Sequence, residues 1–282
     1  NSAGYKGSYD NIGDMVNKGL EVDLSATVLK KKNISWDVNV NATTYKNEIA
    51  KLADALKADL VVDGHPSYVS GDRLYAEGLP LYTWYIRRYA GLSEEGKSMW
   101  YYTDNDGNLQ KTDVYGNATY YNCGGFGTTL SAYGFDLSVS FSYSLGGKAY
   151  DFGYASLMGV PIGTSGGCAI HRDALNAWSA DNPTSDIPRW QYNDPNTVST
   201  SDRFLVSGSY LTLQSINFGY TLPDNWIQRI GLSGIRVYLA ADNVYYWSKR
   251  KGFDPRGSFY GSSSTADYSP TRTVSAGIKL TF

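Results

Sequence analysis

The stretch FDLSVSFSYSL, residues 135–145, decides the fold class, because apolar and small polar side chains alternate strictly along it. The apolar set is Phe135, Leu137, Val139, Phe141, Tyr143 and Leu145, and the polar set is Asp136, Ser138, Ser140, Ser142 and Ser144. Successive side chains of a β-strand point to opposite faces. The stretch therefore predicts a strand with one apolar and one polar face.

The same alternation recurs elsewhere and predicts a mostly paired set of long strands. The seven predicted strands are at about residues 18–30, 33–47, 121–132, 134–145, 207–221, 234–247 and 271–282. Short turns join several of them, such as Tyr133-Gly134 and a single helical turn after Pro223. Between Leu213 and Ile216 the alternation changes phase, which indicates either a β-bulge or a strand that leaves the apolar layer.

Long polar stretches separate the strand pairs, at residues 48–120, 147–206 and 248–270. The first contains SMWYYTDNDGNLQKTD (98–113), which predicts a small hairpin over an Asp-Gly turn. The second contains IHRDALNAWSADNP (170–183), which predicts a short helix ending before Pro183. The segment EGLPLYTWYIRRYAGL (77–92) either pairs with a crossing near 66–76 or lies in a lumen or outside a membrane.

Composition narrows the function classes. The chain has 282 residues and a formal net charge of −2, so it lacks the basic field typical of nucleic-acid binding. No apolar run reaches the roughly 18 residues of a membrane-spanning helix. The start, NSAGYKGSYD, does not have the pattern of a signal peptide. We expect a removed signal, or a chain that is an internal or C-terminal piece of a longer protein.

Two architectures have alternating strands: a soluble β-sandwich and a transmembrane β-barrel. Structureless connections of 20 to 70 residues are unusual in a compact soluble domain, as a rough guide. Outer-membrane barrels combine short inner turns, long outer loops and aromatic girdles. Here short turns alternate with long loops, and aromatic residues such as Tyr143, Tyr220 and Trp247 lie near strand ends. The sequence therefore favours an all-β, antiparallel transmembrane barrel segment.

Several segments together resemble the SusC/RagA-like TonB-dependent outer-membrane transporters of Bacteroidetes. These segments, in the order of that family, are NKGLEVDLSATVLKKKNISWDVNVNATTYKNEI, EGLPLYTWYIRRYAGLSEEGKSMWYYTDNDG, DIPRW, RFLVSGSYLTLQSINFGYTLP, ADNVYYWSKRKGFDP and SPTRTVSAGIKLTF. Each segment alone is a weak motif. Their conserved order along almost the whole chain makes the resemblance specific.

The resemblance implies a C-terminal portion of a plugged barrel of about twenty-two strands. Because seven to nine strands would leave open edges in lipid, we expect other residues to complete the barrel, and the plug to lie outside this chain. It further implies nutrient import, of glycans or oligopeptides, in the cell outer membrane. The expected partners are a SusD-like surface lipoprotein, TonB acting through the plug, and the lipid bilayer. Phe282, an aromatic residue after an alternating last strand, resembles the signal of the outer-membrane assembly machinery.

Catalysis has little support in the sequence, so we expect no enzyme, cofactor or metal. His65 and His171 lie in loops without a Ser- or Cys-based motif. DNDGN (104–108) places its glycine too early for a calcium loop, which favours a hairpin turn. Cys123 and Cys168 are either two unrelated small residues or a disulfide.

Binding has more support, because the polar stretches are rich in Trp, Tyr and Arg. Aromatic faces stack on sugar rings or apolar peptide side chains, and Arg binds carboxylates bidentately. The candidates for substrate or partner contact are Trp84, Tyr85, Arg87, Trp100, Trp178, Trp190, Tyr192 and Arg250. The alternative is that these side chains pack the loops on one another.

The polar face of the strands predicts a wet channel wall. Its charged members are Glu21, Asp23, Asp37, Asp136, Arg236 and Lys279. Two other functions remain open at this point: a soluble or surface-attached β-sandwich that binds glycans, and a barrel enzyme for which no catalytic constellation is found.

Overall fold

A computed structural model describes most of the chain. The described residues are 11, 13–57, 60–62, 64–101, 113–117, 121–159, 169–192, 194, 197, 199–227, 231–257, 261 and 268–282. The chain divides into two compact units. The loop unit comprises Asn1–Lys18, Lys46–Ala118 and Tyr150–Leu205, and the sheet unit comprises Gly19–Tyr45, Thr119–Ala149 and Val206–Phe282.

The described secondary structure is almost entirely β. The strands are β1 (Gly13–Lys31), β2 (Ile34–Leu52), β3 (Leu60–Val62), β4 (His65–Ser70), β5 (Arg73–Ala76), β6 (Thr83–Ile86), β7 (Tyr89–Leu92), β8 (Ser98–Trp100), β9 (Asp113–Asn117), β10 (Asn122–Ala132), β11 (Phe135–Leu145), β12 (Lys148–Tyr150), β13 (Leu205–Ser207), β14 (Tyr210–Thr221), β15 (Gly234–Ser248) and β16 (Thr273–Thr281). Two short α-helices, α1 (Phe152–Leu157) and α2 (Asp224–Ile227), and short 3-10 segments accompany them.

Seven long strands form one antiparallel sheet in the order β1-β2-β10-β11-β14-β15-β16. The sequence prediction of about seven long strands in an antiparallel sheet is thus confirmed. The shortest of them, β16, has 9 residues, and β1 and β2 have 19 each. A strand that crosses a bilayer needs about 9 to 11 residues, so every one of the seven is long enough to do so.

The apolar side chains of these strands lie in register on one face. One row crosses the sheet from Trp36 through Leu130, Leu137 and Phe218 to Leu239. This face is exposed: Leu24 is 63% exposed and Ile278 67%. Trp36 donates its indole N–H to Thr128 Oγ1 at 2.7 Å, so that a polar group on the apolar face has a partner. An exposed apolar face of this extent marks a surface that meets lipid or a partner.

The opposite face is polar and is cross-linked between strands. Asp136 and Arg236 form an ion pair, with Arg236 Nε donating to Asp136 Oδ1 at 3.1 Å. Thr27 donates to Asp37 at 2.6 Å, and the hydroxyls of Ser140 and Ser215 lie 2.7 Å apart. These pairs satisfy polar groups of the face that the sequence assigns to a wet wall.

The phase change in β14 is a β-bulge at Gln214. In the pairing with β11, Ser140 lies opposite Ser215 while Phe141 lies opposite Leu213. The bulge absorbs the extra residue, so the apolar side chains before and after it lie on the same face. One of the two sequence alternatives for this strand is therefore confirmed.

The predicted turns are also present. Tyr133 and Gly134 both have positive φ, of 52° and 88°, as a two-residue hairpin turn of type I′ requires. The predicted helical turn after Pro223 is α2. Phe282 follows β16 and is 87% exposed, and its role as an assembly signal stays a prediction.

The loop unit has its own sheets and core. A five-stranded sheet has the order β3-β4-β5-β6-β9, and β7 pairs with β8. The core contains Trp84, Ile86, Tyr150, Met158 and Phe204, all nearly inaccessible. The segment 77–92 contributes only the four-residue strands β6 and β7. It pairs with residues 73–76, but in a small sheet whose strands are too short to cross a membrane.

The predicted helix at 170–183 is wrong in type and length. Only Arg172–Asn176 form a 3-10 segment, and His171 Nδ1 accepts from the Asp173 N–H at its start. Ser185 Oγ donates to the Asn176 carbonyl at 2.6 Å and competes with further helix. The sequence analysis missed α1, whose N-cap Asp151 accepts from the Tyr154 N–H at 2.9 Å.

Candidate binding surface in the loop unit

The hairpin of β7 and β8 lies next to exposed aromatic residues of the loop unit, because Tyr101 follows β8 and the segment before Tyr192 docks on its turn. Its turn is closed by a hydrogen bond from the Ser93 N–H to the Lys97 carbonyl, at 2.9 Å. Ser93 Oγ also accepts from the Glu95 and Lys97 N–H groups. Gly96 in this turn has a φ of 73°, which few other residues adopt without strain. The turn is therefore fixed by its own backbone and one serine.

The segment from Ile187 to Gln191 docks on this turn. The Arg189 N–H donates to the Gly96 carbonyl at 2.9 Å, and the Trp178 N–H donates to the Ile187 carbonyl at 2.8 Å. The Trp178 ring lies directly against Gly96, where a Cβ would overlap it. The Arg189 guanidinium donates to Gln191 Oε1 at 2.6 Å from Nη2. These contacts hold the residues that follow Arg189 in place at the turn.

Four exposed side chains at the two ends of the hairpin make up what we call the loop aromatic surface: Arg88 and Tyr101 at the open end, and Trp190 and Tyr192 in the segment that docks on the turn. Trp190 is 49% exposed, Tyr192 69% and Tyr101 55%. Arg88 lies over the Tyr101 ring at 4.3 Å, at the open end of the hairpin. Flat aromatic faces and a guanidinium offer stacking and bidentate hydrogen bonding to a sugar, a peptide or a partner protein.

Two of the sequence candidates lie in the core instead. Trp84 is 1% exposed and Tyr85 8%, so they pack the loop unit and offer no face to a ligand. Arg73 lies 3.4 Å above the Trp84 ring and donates to the Tyr82 carbonyl at 3.1 Å. Burial lowers the pKa of Arg73 to about 10, and burial raises the pKa of Tyr150 to about 12. Trp84 and Tyr85 therefore follow the alternative given for the candidates, that the side chains pack the loops on one another.

The other candidates are half-buried. Trp100 meets the Tyr89 ring edge-on at 5.5 Å, and Arg87 accepts through its carbonyl from the Asp202 N–H at 3.1 Å. The Arg250 carbonyl accepts from Ser248 Oγ at 2.9 Å. Trp178 packs on Gly96 as described. Whether any of them contacts a ligand stays a prediction.

Sequence reasoning missed the residues that support this surface. Asp202 accepts from the Tyr89 N–H at 2.8 Å, and Arg203 lies 5.3 Å from the Tyr89 ring. Burial lowers the pKa of Arg203. The tripeptide Asp202-Arg203-Phe204 carries no sequence pattern that would predict its contacts with Tyr89. The hairpin turn at Gly96 was readable from Ser-Glu-Glu-Gly-Lys, but its role as a platform for Trp178 was not.

The histidines have structural surroundings. His171 caps the 3-10 segment, and its ring meets Tyr154 at 4.7 Å. His65 begins β4 and is exposed. Within the described ranges, no group of three His, Cys, Asp or Glu side chains could hold a metal ion.

Some predictions fall outside the described residues. Cys123 lies half-buried in β10, but Cys168 is not described, so both alternatives, a disulfide and two unrelated residues, stay open. The predicted Asp-Gly hairpin and the DNDGN stretch also lie outside the described part. Among the residues that are described, no helix is long and apolar enough to cross a membrane.

Known proteins resemble the chain along most or all of its length. TonB-dependent receptor P3 of Formosa agariphila is 24% identical over 310 residues, which cover 99% of this chain and 30% of that protein. TonB-dependent receptor SusC of Bacteroides thetaiotaomicron is 26% identical over 87% of this chain and 24% of its own length. The structure of the RagAB peptide transporter matches with a TM-score of 0.79 and 26% identity, over 100% of this chain and 31% of the matched chain. No protein-family model matches.

This chain is related to the TonB-dependent receptors of the SusC and RagA type. The relation confirms the resemblance that the sequence motifs indicate, and it agrees with the seven-stranded antiparallel sheet. The chain spans about 30% of the length of the curated relatives it matches. The relatives are named as receptors or transporters, not as enzymes.

Proposed function

We propose that this chain forms barrel wall and outer loops of a TonB-dependent importer of nutrients in the cell outer membrane of a Bacteroidetes-type bacterium. The observation that carries the proposal is the continuous exposed apolar face across seven strands that are each long enough to cross a bilayer. A soluble sandwich would cover such a face with a second sheet. The relatives named as TonB-dependent receptors support the same conclusion.

Strand connectivity supports one orientation in the membrane. The turns after β1, β10 and β14 are short, and the stretches 48–120, 147–206 and 248–270 are long and connect the other ends of the same strands. Outer-membrane barrels place short turns in the periplasm and long loops outside. We place the loop aromatic surface outside the cell on this basis.

The partners follow from the relatives. In this proposal the remaining strands and the plug belong to the rest of the transporter, TonB supplies energy through the plug, and a SusD-like lipoprotein lies on the outer loops. A matched structure is titled as the RagAB peptide transporter, and another relative is named SusC. The loop aromatic surface suits an oligopeptide or an oligosaccharide as cargo, since both present groups that stack on aromatic rings.

Uptake by the bacterium that makes this protein tests the proposal. We would delete the gene, restore it, and measure uptake of fluorescent oligopeptides and oligosaccharides with and without a protonophore. We expect the deletion to abolish energy-dependent uptake of one of the two classes, and that class is the cargo. Unchanged uptake of both, or recovery of the protein in the soluble fraction, would overturn the proposal.

A paired variant tests the loop aromatic surface. Replacing both Trp190 and Tyr192 by Ala removes two stacking faces, each worth about 1 kcal/mol, so we expect uptake at limiting cargo to fall about thirtyfold. Trp226→Ala is the matched control, because Trp226 is also exposed, at 63%, but lies on α2 at a short turn. Equal losses in both would argue against a role for this surface.

A further inference from the structure

A groove opens on the apolar face of the sheet, at the end away from the short turns. It has a volume of about 510 Å³. Phe126 lies nearest the middle of the sheet, and Tyr143, Leu211 and Trp247 form the next row outward, since Tyr143 is opposite Leu211 and Leu211 is opposite Trp247. The walls are therefore aromatic and aliphatic over two rows of the sheet.

Small residues lie next to this row in the sheet. Gly124 lies opposite Tyr143 on one side and Ala42 on the other, so two neighbouring positions lack large side chains. A Cβ at Gly124 would overlap the Asn41 carbonyl oxygen, so the small residue is required by the backbone. The strand pairing therefore keeps a residue without a side chain next to the Tyr143 ring.

The outer end of the groove is polar and positively charged. Lys249 follows the last residue of β15, is exposed, and lines the groove together with Ser209. Ser209 Oγ accepts from the Gly146 N–H at 2.9 Å, which leaves its hydroxyl hydrogen to donate to another acceptor. An apolar groove that ends in an ammonium and a hydroxyl matches a molecule with a fatty chain and an anionic head.

The geometry points to a binding site for one phosphorylated, acylated lipid of the outer leaflet. An acyl chain lies in the groove against Tyr143 and Trp247, and the phosphate accepts from Lys249 Nζ and Ser209 Oγ. The inference rests on the proposed function in one respect, namely that the apolar face lies in the bilayer with this end outward. A cation near a membrane surface adds about 1 kcal/mol to the binding of an anionic lipid, which is about fivefold in affinity.

The neighbouring lysine supplies a control. Lys251 lines a neighbouring cavity of about 360 Å³, with Tyr246, Arg256 and Arg272, and does not line the groove. Lys249→Gln and Lys251→Gln remove the same charge two residues apart. A general effect of surface charge would act on both variants, and a site at the groove only on the first.

The test is native mass spectrometry of the whole transporter in detergent, titrated with three probes. These are monophosphoryl lipid A, the same lipid without its phosphate, and inorganic phosphate. We expect Lys249→Gln to weaken binding of the phosphorylated lipid about fivefold and to leave binding of the dephosphorylated lipid unchanged. Lys251→Gln should bind both lipids with the affinity of the parent protein. Binding of both lipids with equal affinity, equal losses in both variants, or displacement of the lipid by millimolar phosphate would overturn the site.

Failure of the site differs visibly from failure of the proposed function. Membrane fractionation and cargo uptake report on the importer, and neither depends on Lys249. A transporter that imports cargo but binds both lipids alike would refute the lipid site alone.

Discussion

Gly219 shows how the absence of a side chain shapes the wall of this sheet. It lies in β14, between Asp136 of β11 and Arg236 of β15, and a Cβ there would come within 2.7 Å of Asp136 Oδ1. The ion pair therefore crosses above the glycine, spanning a whole strand. The sequence predicted that both charged residues face a wet wall, but not that they pair, since 100 residues separate them.

Gly219→Ala should displace this ion pair. Because the atoms that a Cβ would meet are the ends of two flexible side chains, we expect the backbone to hold and the pair to be lost. The free energy of unfolding should then fall by about 1 kcal/mol, the upper end for a partly exposed pair. Denaturant unfolding of the purified transporter measures it.

The control for this prediction is Gly257→Ala, where a Cβ meets no atom within 4 Å. A second experiment introduces Gly219→Ala into a variant that already carries Asp136→Asn and Arg236→Gln, where Gly219→Ala should change the free energy of unfolding little. A full cost in that background would mean that the glycine serves the backbone and not the pair.

Residue type alone did not sort the aromatic candidates. Trp84 and Trp190 both lie in polar stretches, yet one is 1% exposed and the other 49%. Trp84 is on a four-residue strand buried on both sides, and no periodicity in so short a strand distinguishes buried from exposed. Trp190 is exposed because Arg189 fixes its segment at the Gly96 turn, a contact between distant parts of the chain.

At the scale of elements, β14 accommodates one extra residue in a bulge. The bulge at Gln214 keeps Leu211 and Leu213 on the same face as Ile216 and Phe218. Alternation alone revealed this bulge in the sequence, because a phase change in an otherwise regular pattern has few structural solutions. Ser142 Oγ donates to Gln214 Oε1 at 2.9 Å, so the side chain also contacts β11.

Deleting Gln214 should therefore leave assembly intact. Without this residue, the apolar side chains of β14 occupy every second position, so the strand keeps its apolar face and its pairing with β11 without a bulge. Deleting Asn217, in the regular part of the strand, would instead turn Phe218 to the polar face, and we expect no protease-resistant, heat-modifiable protein of this variant in the outer-membrane fraction. Loss of assembly in the Gln214 deletion, or a normal yield from the Asn217 deletion, would refute the argument.

The loop after β15 has an acid-sensitive ion pair. Arg256 donates to both carboxylate oxygens of Asp254, at 2.8 and 2.6 Å, and the two side chains are only 14% and 8% exposed. Burial by itself raises the pKa of Asp254, but the hydrogen bonds and charge of Arg256 outweigh it, so that the pKa is lowered. Because the pKa of Asp254 is lower in the folded than in the unfolded protein, the ion pair stabilises the loop at pH values above the unfolded-state pKa, which is about 4. This stabilisation is lost as the pH falls through the folded-state pKa.

Amide exchange in this loop measures that loss. The Arg256 N–H donates to Asp254 Oδ1 at 3.0 Å, so we expect its protection to fall when the pH is taken below about 4, after correction for intrinsic exchange. Asp254→Asn retains the shape and cannot titrate, so its protection should not depend on pH in this window. A parallel response of the variant and the parent would contradict the assignment.

For the whole molecule, the sequence predicted the sheet better than the loops. Seven strands were readable because one face must be apolar along the full length of each, which imposes a period of two over nine or more residues. The loop unit has no such constraint: its strands β3 to β9 have at most six residues and its core is assembled from distant segments. The helix predicted at 170–183 is wrong for the same reason, because elements as short as the 3-10 segment Arg172–Asn176 impose no long periodic pattern on the sequence.

The apolar face provides the test of the whole architecture. Val139 lies at the middle of β11, in a row with Thr128 and Ile216, while Thr129 lies on the opposite, polar face. An arginine at the middle of a bilayer costs a barrel about 2 to 4 kcal/mol, whereas an exposed position in water changes stability by at most about 0.5 kcal/mol. We therefore expect Val139→Arg to lower the free energy of unfolding by about 2 to 4 kcal/mol in lipid vesicles, and Thr129→Arg to lower it little. Similar small effects of both would mean that the apolar face does not meet lipid, and a large loss from Thr129→Arg would mean that the two faces are assigned the wrong way round.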